Sequence, residues 1–123
     1  RSRIPSAGLR FLLVGPSANA ELLRSVRRAI AAVPDEILIQ RLRQVLNCDA
    51  MQALSRLSLP ILDLRATNDR LVNQTCAQAI RALPRTIAAD LPGPHLLLQR
   101  CPRESADVVA RFVQGLPLDT LNR

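Results

Sequence analysis

The chain contains a single histidine, His95, set in the stretch LPGPHLLLQRCP (91–102) directly after a Pro-Gly-Pro turn. Its most useful companion is Asp69, the last residue of the turn-like stretch ATND (66–69). A carboxylate that accepts a hydrogen bond from one imidazole nitrogen fixes the tautomer and stabilises the imidazolium. The other ring nitrogen is then free to take a proton. Each residue also has an ordinary reading, because aspartate is a common turn and cap residue and a lone histidine after a turn is most often structural. Ser17 is a third candidate, in VGPSANA (14–20). With a strand-like FLLV (11–14) before it and a helix after it, Ser17 has the outline of a nucleophile turn, G-x-S-x-G. The last small position of that pattern is, however, Asn19, and FLLVGPSANAELL (11–23) reads better as part of the lid-like first half of the chain than as a nucleophile turn. Cys48, Cys76 and Cys101 are scattered, with no Cys-x-x-Cys pair, and one histidine cannot complete a zinc site with them at the usual spacings.

An acid and an imidazole so far apart in sequence need a scaffold that brings them together. The second half of the chain supplies one. ILDL (61–64) follows Pro60 and reads as a strand. Asn73 is a cap for a helix through Thr75, Ala77, Ile80 and Leu83, which Pro84 ends. RTIAAD (85–90) reads as a second strand, and a last helix starts near Pro102 and runs through Val108, Val109, Phe112 and Val113. Two strands joined by a helix of this length favour a right-handed parallel crossover. Chemistry in such a sheet sits beyond the carboxyl ends of the strands, where the turns bearing Asp69 and His95 fall.

The first half reads as helices. Leu22, Leu23, Val26, Ala29, Ile30 and Val33 recur at three-to-four spacing. Pro34 breaks that pattern and opens a second helix, with Asp35 and Glu36 in its first turn and Leu38, Leu42, Val45 and Leu46 on one side. Asn47 stops it, and Asp49 caps a short third helix through Met51, Leu54 and Leu57. The apolar stripes of residues 18–57 are expected to face the sheet and the substrate pocket. Asp63, inside the first strand, has no functional role on this reading; buried alone it would be costly, so a polar partner or a position near solvent is expected.

At 123 residues the chain has the size of one modest domain. Hydrophobic residues make up 48% and aromatic ones 2%, so the core must be built from Leu, Ile, Val and Ala. The net charge is +7, and every basic residue is Arg. These arginines are spread along the chain with no interleaved aromatics, which excludes a base-stacking platform and argues against nucleic acid. No apolar run is long enough to span a membrane, and RSRIPSAGLR (1–10) leads into no signal-peptide hydrophobic region of adequate length. The cysteines read as reduced thiols of a cytoplasmic protein.

At its two turns the chain resembles the alpha/beta-hydrolase superfamily. LPILDLRATNDRLVNQ (59–74) is similar to its seventh strand and the turn bearing the triad acid, and LPGPHLLLQRCPRESADVVARFV (91–113) to its last turn, with the triad histidine, and final helix. The upstream helices, ILIQRLRQVLNCDAMQALSRLSLP (37–60) above all, resemble the lid of carboxylesterase-like members, including those acting on methyl esters held by an acyl carrier protein. The resemblance covers about residues 10–115 and implies an α/β fold of which this chain is the C-terminal portion, with lid helices in 1–58 and the last part of the hydrolase core in 59–123. It makes Asp69 the triad acid and His95 the triad base. It leaves the nucleophile and part of the oxyanion hole outside the chain, and implies no metal or organic cofactor. The implied activity is serine-type hydrolysis of a carboxylic ester, small or carrier-bound, and the chain on its own is expected to be inactive. Ala66 stands where many members have Gly, and Asn73 where many have Pro. Arg24, Arg27 and Arg28 would receive an acidic carrier protein, although such arginines are most often simply solvated. The competing reading is a non-enzymatic helical module whose basic face binds an acidic partner.

Overall fold

The computed structural model describes residues 5–116. It combines helices with a two-stranded parallel sheet, an α/β arrangement. The order is α1 (Ser6–Leu9), running into a π-helical turn (Arg10–Val14), then α2 (Ala20–Ala31), α3 (Asp35–Asn47), α4 (Met51–Ser55), β1 (Ile61–Ala66), α5 (Gln74–Arg81), β2 (Thr86–Leu91), α6 (Leu97–Arg100) and α7 (Pro102–Gln114). Positions 1–4 and 117–123 of the two segments drawn from the sequence lie outside the described residues.

Three helices, α2, α4 and α5, begin where a side chain is able to satisfy an orphan N–H group. Asn19 accepts from the Leu22 N–H at 2.8 Å, Asp49 from Met51 at 3.0 Å and Asn73 from Thr75 at 3.0 Å. Pro34 and Pro102 open α3 and α7 through their fixed φ. β1 and β2 pair in register from Ile61↔Thr86 to Ala66↔Leu91, with α5 as the crossover between them. β1 runs two residues beyond the expected 61–64 and β2 lies one residue later than the expected 85–90, because the ladder continues to the point where the Thr67 N–H meets the Leu91 carbonyl at 3.0 Å.

Asp63 has its polar partner. Arg81, at the end of α5, donates from Nε to Asp63 at 2.6 Å and from Nη2 to Asp90 at 2.6 Å, so one guanidinium ties the crossover helix to both strands. The Asp63 side chain is only 14% exposed, and this fork is what makes a carboxylate inside a strand tolerable.

The core lies at the N-terminal side. Leu9, Val14, Ala18 and Leu23 are buried together, with Leu13, Leu22, Val26, Ile30 and Leu96 packed on them. FLLV (11–14), strand-like in outline and required as a strand only if Ser17 were a nucleophile, is not a strand. The Gly15 N–H bonds back to the Arg10 carbonyl at 2.9 Å, closing a π-helical turn, so these peptides are satisfied locally and need no neighbouring strand. The stripe of α3 does not face the sheet either: Leu42, Val45 and Leu46 are 60%, 71% and 75% exposed. α2 buries its stripe as the periodicity predicts, with Leu23 buried and Leu22, Val26 and Ile30 packed on the core.

Candidate functional site

The two turns at the carboxyl ends of the strands are bound to each other through main chain. Beyond the Thr67–Leu91 bond, the Asn68 N–H donates to the Gly93 carbonyl at 2.9 Å. Gly93 itself has no room for a side chain, since a Cβ there would lie 2.5 Å from Leu97 Cδ1. The Asp69 N–H turns back to the Ala66 carbonyl at 3.3 Å, which aims the side chain across the sheet end.

Asp69 and His95 meet there. Oδ2 of Asp69 lies 2.9 Å from Nδ1 of His95. Oδ1 accepts from the N–H groups of Leu71 at 2.8 Å and Val72 at 3.0 Å, so the carboxylate is held by three donors and cannot swing away. The Asp69 side chain is 12% exposed and that of His95 33%, so the acid is sheltered and the ring keeps an open flank. Burial works to raise the Asp69 carboxyl, but the N–H groups of Val72 and Leu71, together with His95, outweigh it and hold the group below the ordinary carboxylate range.

A lowered folded-state value has a definite sign. Asp69 stabilises the fold while it is ionised, and this contribution is complete above the ordinary carboxylate range. It is lost as pH falls through the depressed value. Urea unfolding followed from pH 6 down to pH 2 is expected to show the stability gap between the native protein and Asp69→Ala closing below about pH 4. A gap independent of pH would mean that the carboxylate charge plays no part.

His95 is braced on both sides. The Leu96 N–H donates to the Leu13 carbonyl at 2.9 Å, and Pro94 lies against Gly15, where an added Cβ would be 3.4 Å from the ring carbons. Ser17 is nearby in chain terms but not in a nucleophile's setting. Its hydroxyl accepts from Arg100 Nη2 at 2.9 Å, and a π-helical turn rather than a strand precedes it. Arg24, Arg27 and Arg28 are exposed on α2, and Arg27 bonds the Ser6 hydroxyl at 3.1 Å. Cys48 and Cys76 are exposed thiols, whereas Cys101 bonds the Pro92 carbonyl beneath the histidine turn. Among the described residues no cluster of His, Cys, Asp or Glu is able to hold a metal ion, and no helix is long and apolar enough to cross a membrane.

Sequence reading missed α6, the π-helical turn and the Arg81 fork. The two helical turns are closed by local hydrogen bonds within apolar runs too short to show a period, whereas the Arg81 fork joins residues far apart in the chain, and only the lone Asp63 signalled that a partner was required.

No family model matches the chain, and no curated protein or solved structure gives a significant match. The geometry of the two turns is therefore the ground on which function is argued.

The pair is able to do one kind of work. With the Nδ1 proton held by Asp69, Nε2 carries a lone pair, and the charge acquired on accepting a proton is balanced by the carboxylate. The group that would give up the proton must approach from the open flank of the ring.

Proposed function

We propose that this chain contributes the acid and base of a serine-type carboxylic ester hydrolase, as the C-terminal portion of an alpha/beta-hydrolase fold with residues up to 58 as its lid. The observation that carries the reading is the 2.9 Å contact between Asp69 and His95 Nδ1 beyond the carboxyl ends of two parallel strands. The nucleophile is a serine from chain outside these 123 residues. His95 Nε2 takes the hydroxyl proton as the serine oxygen attacks the ester carbonyl, and returns it to the alcohol as the carbon–oxygen bond breaks. A water then attacks the acyl-serine, again giving its proton to His95, and the carboxylic acid leaves as serine regains its hydrogen. Asp69 stays ionised throughout and keeps Nδ1 protonated. A cytoplasmic setting and a carrier-bound substrate received by Arg24, Arg27 and Arg28 belong to the same proposal.

A second reading, a helical module that binds an acidic partner, is supported by the exposed apolar stripe of α3 and the exposed arginines of α2. One experiment separates the two. The protein encoded by the whole reading frame is treated with a fluorophosphonate probe, and the labelled residue is mapped. The hydrolase reading expects one serine, at a G-x-S-x-G site, while the 123-residue chain alone takes up no probe and cleaves no activated ester above buffer. A whole protein with no labelled serine sinks the hydrolase reading and leaves the binding one.

A further inference from the structure

We propose that the π-helical turn Arg10–Val14, with Gly15 after it, is the element that positions the Asp69–His95 pair. For its catalytic meaning this rests on the hydrolase reading, but the positioning itself is independent of any activity. The juxtaposition is specific. The turn grips the residues next to both members of the pair. On the histidine side, Leu13 takes the Leu96 N–H at 2.9 Å, and Gly15 is the surface on which Pro94 rests. On the acid side, the Arg70 guanidinium lies 4.0 Å from the centre of the Phe11 ring.

Fixing the peptide on each side of His95 fixes the direction of its Cα–Cβ bond, and with it the place of the ring. Pro94 contributes a locked φ, and Leu96 also packs on the core cluster around Val14, which is wholly buried. The strands alone do not supply this. Their ladder ends at Leu91, and the Asn68–Gly93 bond is the last main-chain tie between the two turns before His95. A hydrogen bond at 2.9 Å demands tenths of an ångström; Cys101 and Leu97 hold Pro92 and Gly93, and the π-helical turn supplies the restraint on the two residues that flank His95.

The backbone of Gly15 explains why the turn ends as it does. Its φ of 79° and ψ of 162° lie in a region that only glycine enters without strain. Any other residue would strain the turn and press a Cβ towards Pro94. Leu13, Gly15 and Phe11 are positioning residues, since none of them touches the pair itself.

The sole histidine allows a direct test. In the chain labelled with 15N-histidine, the ring nitrogen shifts, followed to a pH at which the ring is neutral, report which nitrogen carries the proton. The native chain is expected to hold it mainly on Nδ1. Gly15→Ala is expected to lower the Nδ1–H to Nε2–H ratio roughly tenfold, the effect of loosening one charge-assisted hydrogen bond. Phe11→Ala, at a side chain 59% exposed, is expected to lower it less while leaving the circular dichroism unchanged. Ser25→Ala, on the exposed side of α2, is expected to change nothing. An unchanged ratio in a folded Gly15→Ala chain overturns the proposal. If that variant does not fold, an unchanged ratio in Phe11→Ala overturns it instead. A shifted ratio in a protein with no reactive serine would retain the positioning role and reject only the hydrolase reading.

Discussion

On the hydrolase proposal, replacing His95 by alanine in the full-length protein is expected to reduce ester turnover by about 10⁴- to 10⁶-fold while leaving the fold nearly intact. The size of the effect follows from the chemistry of serine. Its hydroxyl is a weak nucleophile at neutral pH, and without a base on hand the attacking oxygen must shed its proton to water. What survives is the contribution of binding and of oxyanion donors, which act regardless of the base. The small structural cost follows from the contacts. The histidine turn is held by the Leu96–Leu13 and Asn68–Gly93 main-chain bonds, neither of which uses the imidazole. Asp69 loses one partner but keeps the N–H groups of Leu71 and Val72. A loss of about 0.5–1.5 kcal/mol is expected, the usual net worth of one hydrogen bond. Single-turnover assays on an activated ester, paired with urea melts, check both halves. Turnover within tenfold of native would mean that another group is the base.

The element pattern was legible wherever a single residue punctuates the chain. Pro34, Asn73, Pro84 and Pro102 mark helix ends by local sterics and capping, which act within a few residues. The meeting of Asp69 and His95 was legible for a different reason. A parallel crossover places the turns after both strands at one edge, whatever packs on the sheet. FLLV (11–14) stayed open between strand and helix because a short apolar run has no period long enough to separate them. The leucines of LLLQ (96–99) hid a helical turn in the same way. The stripe of α3 is a true amphipathic pattern, but a pattern states only that a face wants burial, not that a partner within the chain provides it. The Arg81 fork joins positions 63, 81 and 90, a choice among many arginines that only the folded backbone makes.

On the same proposal, Asp69→Asn is expected to lower turnover by about 10⁴-fold with KM little changed, and for a reason that differs from the loss of His95. The asparagine oxygen is suited to the place of Oδ1, where the Leu71 and Val72 N–H groups both donate. Turning the amide round would set its NH₂ against those two donors, so the orientation is decided. The NH₂ then occupies the place of Oδ2, 2.9 Å from Nδ1, and becomes a donor where the carboxylate was an acceptor. Nδ1 has to accept, which drives the imidazole proton to Nε2. The ring is intact and correctly placed, yet the nitrogen facing the serine already carries a proton and is unable to take another. Asp69→Ala, by contrast, strips the cap from Leu71 and Val72 and is expected to cost stability by about 0.5–2 kcal/mol, the range for losing a side-chain cap. The two variants are therefore expected to part company. The asparagine variant forgoes the contribution of the carboxylate charge but keeps the cap, so it loses kcat with a smaller fall in its melting transition than the alanine variant, which loses charge and cap together. Equal turnover in the native and asparagine enzymes would show that the carboxylate neither sets the tautomer nor stabilises the imidazolium, and Asp69 would revert to an ordinary turn residue that happens to touch a histidine.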